Sequence, residues 1–130
     1  MSKIKIGITI GDVNGIGPEI IIKALANTKM LDACTPIVYG SSKVLAYYKN
    51  IVNNVNFSYN NAKSAQRVDY NSVNVINVMQ EETIIEIGRA TESSGTMAFK
   101  AIEQATKDAK EGLIDAIVTT PINKHAMKLA

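Results

Sequence analysis

The 130-residue chain has little of what marks several specialised classes of protein. It contains one cysteine, one histidine, no tryptophan, two phenylalanines and five tyrosines. The lone cysteine, Cys34, cannot form an internal disulfide, which fits a reducing cytoplasm. The formal net charge is only +2, so neither nucleic acid nor a membrane surface is expected as a partner. The sequence shows no secretory signal and no apolar run of membrane-spanning length.

What is present fits one globular domain with a sizeable core. Hydrophobic residues make up 46% of the chain, and the length is sufficient for a single buried core. No proline- or glycine-rich linker and no shift in composition divides residues 1–130. We therefore expect no internal domain boundary.

Apolar periodicity, caps and glycine positions predict the secondary structure. Strands are expected over residues 3–10, 35–39, 55–59, 73–78 and 115–120. Helices are expected over residues 18–27, with Ile21, Ala24 and Leu25 at core spacing, from Ser41 or Ser42 to 50, over 92–111, and onward from Pro121. Residues 60–71 are expected to form an exposed loop. This alternation predicts an α/β layered fold on a mainly parallel sheet, with room for an antiparallel excursion in the middle.

The most informative segment joins the first strand to the first helix. It reads Gly11-Asp12-Val13-Asn14-Gly15-Ile16-Gly17-Pro18-Glu19. It lacks the third glycine of the dinucleotide fingerprint, and it lacks the Gly-Lys-Ser/Thr ending of the phosphate-binding P-loop. The turn can still bind an anion through its amides and the helix N-terminus. The alternative is an ordinary strand–turn–helix connection without a ligand.

A second polar turn follows the last predicted strand and carries Thr119, Thr120, Asn123 and Lys124. If both turns leave the same edge of a parallel sheet, they face one crevice. Such a crevice suits a small, phosphorylated and hydroxylated substrate. The candidate cleft residues are Asp12, Asn14, Gly15, Thr120 and Lys124.

Each candidate also has a purely structural interpretation. Asp12 can orient a cation or a hydroxyl, or it can simply bond its own backbone in the turn. Lys124 can pair with a phosphate or carboxylate, or remain a solvated lysine. Thr120 can serve only to support the bend before Pro121. His125 has no partner histidine and is expected to be an exposed surface residue rather than a metal ligand.

These motifs resemble a known enzyme family. The first turn is similar to the opening of 4-hydroxythreonine-4-phosphate dehydrogenases, although Val13 replaces a proline that is common there. The run Gly112-Leu113-Ile114-Asp115-Ala116-Ile117-Val118-Thr119-Thr120-Pro121-Ile122-Asn123-Lys124 resembles that family's Asp-Ala-x-Val-Thr-x-Pro-x-x-Lys segment. A weaker third match is the segment 88–95. Isocitrate and isopropylmalate dehydrogenases open with a turn two residues shorter, so Val13 and Asn14 favour the first family.

The resemblance implies a fold, a reaction and an assembly. It implies part of an isocitrate/isopropylmalate-dehydrogenase-like fold, and oxidation with decarboxylation of 4-phosphohydroxy-L-threonine in vitamin B6 biosynthesis. It also implies NAD or NADP as cofactor, a divalent metal, and a cytoplasmic homodimer with sites formed between two domains.

The same resemblance limits what can be assigned to this chain. The family's metal-binding histidines, its Gly-His-Thr-Glu substrate segment and its main cofactor contacts map to no residue here. No catalytic residue and no metal ligand is therefore assigned. We expect residues 1–130 to be the amino-terminal α/β segment of a longer two-domain enzyme and to be inactive alone.

Two alternatives stay open from the sequence. The chain can be a non-catalytic α/β module that binds a phosphorylated metabolite or a partner subunit. It can also belong to a related β-decarboxylating dehydrogenase that acts on another hydroxy acid.

Overall fold

A computed structural model describes residues 3–52, 55–80 and 82–130, and its centre is a parallel β-sheet. In chain order the strands are β1 (Ile4–Thr9), β2 (Cys34–Gly40), β3 (Asn60–Asn61), β4 (Asn74–Asn77) and β5 (Ala116–Thr119). Their order across the sheet is β3-β4-β2-β1-β5, and every neighbouring pair is parallel. The α/β class predicted from the sequence is confirmed.

Four helices connect and cover these strands: α1 (Gly17–Leu25), α2 (Ser42–Ile51), α3 (Glu92–Lys110) and α4 (Lys124–Leu129). A short 3-10 helix (Thr28–Asp32) precedes β2. Ser41 caps α2, Thr91 caps α3 in a capping box, and Asn123 caps α4. These caps lie where short polar side chains satisfy the free amides of a first helical turn.

The order of the strands decides which face each helix covers. The path β1–β2–β4 moves across the sheet in one direction, whereas the path from β4 to β5 returns past β1. Right-handed crossovers therefore place α1 and α2 on one face and α3 on the other. Consistently, α1 packs against α2, and α3 packs across β1, β2 and β5 and against α4.

The core lies between the sheet and these helices. It contains residues from every layer, among them Ile10, Ile21, Val38, Leu45 and Met97, which are all at most 2% exposed. β2 is buried along its whole length because it lies in the middle of the sheet. Strands of this kind read as continuous apolar runs.

Several local predictions were wrong, for physical reasons. Residues 55–59 form no strand; the short third strand is Asn60–Asn61, within the segment predicted as a loop. Phe57, within the predicted strand, is nevertheless fully buried. The apolar pattern of residues 55–59 therefore indicates burial and not strand pairing. β4 is parallel and buried at three of its four residues, so no antiparallel excursion occurs among the described strands.

Two helix details also differ. The last helix begins at Lys124, three residues after Pro121, because the Asn123 side chain caps it there. On α1, Ala24 is exposed and Ile22 is buried in its place. Helix α3 agrees closely with its prediction and ends just before Gly112, which has the left-handed φ of 74° that suits a residue following a helix.

One edge of the sheet remains open in the described chain. All four residues of β5 are exposed, including Ile117 (38%) and Val118 (51%), which point to opposite faces. Within the part of the chain that the structure describes, no helix is long and apolar enough to cross a membrane.

Candidate functional site

The candidate site lies at the carboxyl ends of β1 and β5. In the sheet, β1 lies between β2 and β5. The chain leaves β1 toward β2 on one side, and later returns through α3 to form β5 on the other side. Such a reversal of strand order opens a crevice in which α/β proteins bind ligands. The two polar turns singled out from the sequence both lie here.

Hydrogen bonds join the two turns directly. The Asp12 amide donates to the Pro121 carbonyl at 2.9 Å, and the Thr120 hydroxyl donates to the Thr9 carbonyl at 2.8 Å. The structure therefore brings together segments that are about 110 residues apart, as the parallel-sheet hypothesis required.

Gly11 makes this close approach possible. Its φ is +70°, and a Cβ atom at this position would overlap the Pro121 carbonyl and the Thr120 hydroxyl. Both the backbone angle and the space exclude a larger residue. The first glycine of the motif is thus required for the close contact between the two turns.

Asp12 has one structural role and one free oxygen. Its Oδ1 accepts from the Asn14 amide at 3.0 Å, which is the turn-forming bond anticipated as one of its two interpretations. No hydrogen bond of the described residues engages Oδ2, which lies beside Gly15. The carboxylate is half-buried and remains able to receive a cation or a hydroxyl.

The side chains of Asn14 and Thr120 are both hydrogen-bonded to the protein backbone. Asn14 is 1% exposed, and its carboxamide bonds the backbone of Glu86 and Arg89. Thr120 is buried and supports the bend through its bond to Thr9. These two candidates shape the cleft rather than offer free polar groups to a ligand.

Lys124 is the free cation of this turn. It is exposed at the start of α4, and no ion pair within residues 3–52, 55–80 and 82–130 engages it. His125 beside it is also exposed, as predicted. Lys124 can therefore meet a phosphate or carboxylate without first breaking an ion pair.

The N-terminus of α1 adds donors to the same edge. Ile16 occupies the cap position and provides no side-chain hydrogen bond, so the first-turn amides have no side-chain acceptor. Pro18 lies in this first turn, where its missing amide hydrogen costs nothing. An uncapped helix start of this kind favours a negative group.

Sequence reasoning assigned no role to Tyr48, which bonds to the first turn through its hydroxyl. Its hydroxyl donates to the Val13 carbonyl, and the residue is only 6% exposed. Burial raises the pKa of the Tyr48 phenol, so the proton needed for this bond is retained near neutral pH. The partner of this hydroxyl is tertiary information, which helical spacing alone cannot supply.

The described residues do not provide a metal site. Among them, no group of three or more His, Cys, Asp or Glu side chains is placed to hold an ion. His125 lies at the surface.

Comparison with known proteins gives this geometry a context. A family model described as "Pyridoxal phosphate biosynthetic protein PdxA" matches residues 32–130. A 4-hydroxythreonine-4-phosphate dehydrogenase of Bacteroides thetaiotaomicron is 44% identical over 128 residues, which cover 98% of this chain and 35% of the relative. A Clostridium botulinum protein provisionally named D-threonate 4-phosphate dehydrogenase is 36% identical over 130 residues, covering 95% of this chain and 37% of that protein.

A solved structure shows the same architecture. The crystal structure of a 4-hydroxythreonine-4-phosphate dehydrogenase from Burkholderia phymatum superposes with a TM-score of 0.89 at 30% identity. The match covers 99% of this chain and 39% of that one, so the chain spans somewhat more than a third of the relatives that it resembles. The predicted fold and the predicted family are both confirmed, and the chain belongs to the PdxA family of pyridoxal phosphate biosynthetic proteins.

Proposed function

We propose that this chain forms the amino-terminal part of an NAD(P)-dependent, metal-assisted dehydrogenase that oxidises and decarboxylates 4-phosphohydroxy-L-threonine. The observation that carries the proposal is the junction of the two family-like turns at the carboxyl edge between β1 and β5. The identity of 44% to the Bacteroides enzyme supports the choice of substrate. Dimerisation, a cytoplasmic location and a second domain are parts of the same proposal.

The residues of this chain would bind and orient the substrate. Lys124 offers an ammonium group without an ion-pair partner among the described residues, and α1 offers first-turn amides without a side-chain cap. Both suit the phosphate or carboxylate of a small phosphorylated acid. Asp12 keeps one oxygen free to accept a hydrogen bond from a hydroxyl or ammonium group.

The cofactor and the metal would be contacted mainly by other residues. The described residues hold no cluster of metal ligands, and we assign no metal-dependent step to them. When bound, a nicotinamide cofactor would supply the two-electron oxidant for the substrate carbon that carries the hydroxyl. The β-keto acid formed by this oxidation then loses carbon dioxide.

Two assays test this proposal. The first supplies the 130-residue chain with 4-phosphohydroxy-L-threonine, a divalent metal, and NAD or NADP, and follows nicotinamide absorbance. We expect no turnover. The second uses a hybrid in which residues 1–130 replace the matching segment of the Bacteroides enzyme, and here we expect turnover with one of the two cofactors.

The outcomes are distinct. Turnover by the 130-residue chain would show that the expected inactivity is wrong. A folded hybrid that oxidises neither this substrate nor another phosphorylated hydroxy acid would favour the alternative of a non-catalytic binding module. Sedimentation of the folded hybrid measures the proposed dimer directly.

A second substrate deserves the same assay because of one specific similarity. The Clostridium relative, at 36% identity, is named for D-threonate 4-phosphate. The two substrates share a 4-phosphate and an oxidisable hydroxyl, and they differ in an amino or hydroxyl group at C2. The ratio of the two kcat/KM values in the hybrid decides between them. We expect 4-phosphohydroxy-L-threonine to be preferred.

A further inference from the structure

One buried side chain fastens a distant loop segment onto the first turn. The Asn14 Oδ1 accepts from the Glu86 amide at 2.8 Å, and its Nδ2 donates to the Arg89 carbonyl at 3.0 Å. The Asn14 carbonyl also accepts from the Gly88 amide at 2.8 Å. Three hydrogen bonds from one residue therefore fix the segment 86–89 at the carboxyl edge of the sheet.

These bonds engage both polar atoms of the Asn14 side chain. Its Nδ2 additionally lies 3.4 Å from the Thr91 hydroxyl, and its backbone amide is engaged by Asp12. A side chain that is 1% exposed and has both polar atoms hydrogen-bonded to the protein is poorly placed to bind a ligand directly. Its function must be sought in what it holds in place.

The segment presents an arginine. The chain has two arginines, Arg67 and Arg89, and the second belongs to this turn. The Arg89 side chain is 70% exposed, and its Nη1 donates to the Glu86 carboxylate at 2.6 Å. No other hydrogen bond among the described residues engages the guanidinium, so most of its five N–H donors are free.

Two features suit this guanidinium for an oxyanion. The planar fork of arginine matches the geometry of a phosphate and can donate two parallel hydrogen bonds. Glu86 bonds one nitrogen of the fork, and Asn14 holds the backbone at Glu86, Gly88 and Arg89 itself. These bonds restrict part of the conformational freedom that the Arg89 side chain would otherwise lose on binding.

We propose that Arg89 is a phosphate-binding residue of the candidate site and that Asn14 is its positioning residue. The inference deepens the proposed function, since it names a contact to the phosphorylated substrate. Arg89 and Lys124 would provide two cations at the same sheet edge, and a phosphorylated acid brings two anionic groups.

The first test uses the 130-residue chain and inorganic phosphate. NMR spectra of the arginine Hε–Nε groups are recorded during titration with phosphate, acetate or chloride at constant ionic strength. We expect the Arg89 signal to shift with phosphate alone, and the Arg67 signal to stay still. Equal shifts at both arginines, no shift at Arg89, or an equal shift with acetate would each overturn the proposal.

The second test uses turnover by the hybrid enzyme. Arg89→Gln should raise KM for the phosphorylated substrate by about tenfold to a hundredfold, the range expected for one lost charge-assisted bond, with kcat nearly unchanged. Arg89→Lys should recover part of the loss because it keeps the charge and loses the fork. Arg67→Gln is the matched control and should leave KM unchanged. An unchanged KM for Arg89→Gln would contradict the proposal.

The role of Asn14 needs a readout beyond stability. In Asn14→Asp the shape is kept, but the donor to the Arg89 carbonyl is lost. We expect a raised KM and a weaker phosphate shift at Arg89 in a protein whose circular dichroism shows it to be folded. A folded Asn14→Asp variant with unchanged KM and unchanged phosphate response would refute the positioning role.

The two tests separate this inference from the proposed function. A selective phosphate shift at Arg89 together with an inactive hybrid would support the site and reject the dehydrogenase assignment. An active hybrid without any effect of Arg89→Gln would keep the assignment and reject the site.

Discussion

The strongest test of the fold concerns a buried pair that connects the sheet to α3. The Tyr39 hydroxyl donates to the Asp108 Oδ2 at 2.6 Å, and the Gln104 Nε2 donates to the other carboxylate oxygen at 3.0 Å. Tyr39 is fully buried on the central strand β2, and Asp108 is 5% exposed. In Tyr39→Phe the carboxylate would lose one of its two donors without gaining access to water.

The magnitude follows from that loss. A hydrogen bond to a charged group contributes about 1.5–3 kcal/mol, and removing one partner leaves the other buried and unsatisfied. We expect Tyr39→Phe to lower the free energy of unfolding by about 2 kcal/mol. For a domain of this size, that corresponds to a fall in Tm of roughly 8 °C.

The assay is urea unfolding of the 130-residue chain followed by far-UV circular dichroism. Tyr59→Phe is the matched control, since its hydroxyl makes only a long bond of 3.4 Å to the Ser42 carbonyl. That control should change stability by less than about 0.5 kcal/mol. If Tyr39→Phe is equally mild, the reasoning about the buried pair is refuted. A double-mutant cycle with Asp108→Asn would then measure how much coupling exists.

Three further predictions concern other parts of the molecule. Burial and the neighbouring Asp108 carboxyl raise the pKa of Tyr39 far above its usual value, so the folded state keeps a proton that the unfolded state releases above pH ~10. Stability should therefore be full below that pH and fall above it, and Tyr39→Phe should flatten this alkaline loss in unfolding curves. A second prediction concerns Gly95→Ala, whose added Cβ would overlap the Ala126 backbone. It should displace α4 from α3, seen as faster amide hydrogen exchange in α4, and unchanged exchange would contradict it. Finally, Val118→Lys places a charge on the open edge of β5, where charges block edge-to-edge pairing. It should reduce concentration-dependent association of the 130-residue chain in sedimentation runs, and equal association of both proteins would show that β5 is not the contact.

Much of the site was visible in the sequence because its elements are local. The glycine-rich turn, Pro18 in the first helical turn and the second turn after β5 were all located from residue type and spacing. The span of α3 was predicted to within one residue at its carboxyl end. Such features depend on neighbours within a few residues, which a single sequence displays.

The roles of individual candidates were less visible. Asn14 was predicted to be a cleft residue, and its three bonds to residues 86–89 could not be foreseen from a distance of more than seventy residues. The same holds for Arg89, which lies in the family-like segment 88–95 but was given no role of its own. Loop residues 86–89 carry no periodic pattern, so only their partner reveals their position.

The sequence by itself determined the fold class, the family and the two turns, because strand and helix periods, caps and glycines act over short distances. Only the tertiary structure decided that the turns are hydrogen-bonded to each other and that Thr120 and Asn14 bond to the protein framework. It also decided that Lys124 has no ion-pair partner among the described residues. The reason is that a polar side chain bonds to the protein or stays available to a ligand according to which distant groups the fold brings within hydrogen-bonding distance. That competition is settled by the packing of β1, β5 and α3, which short-range patterns do not encode.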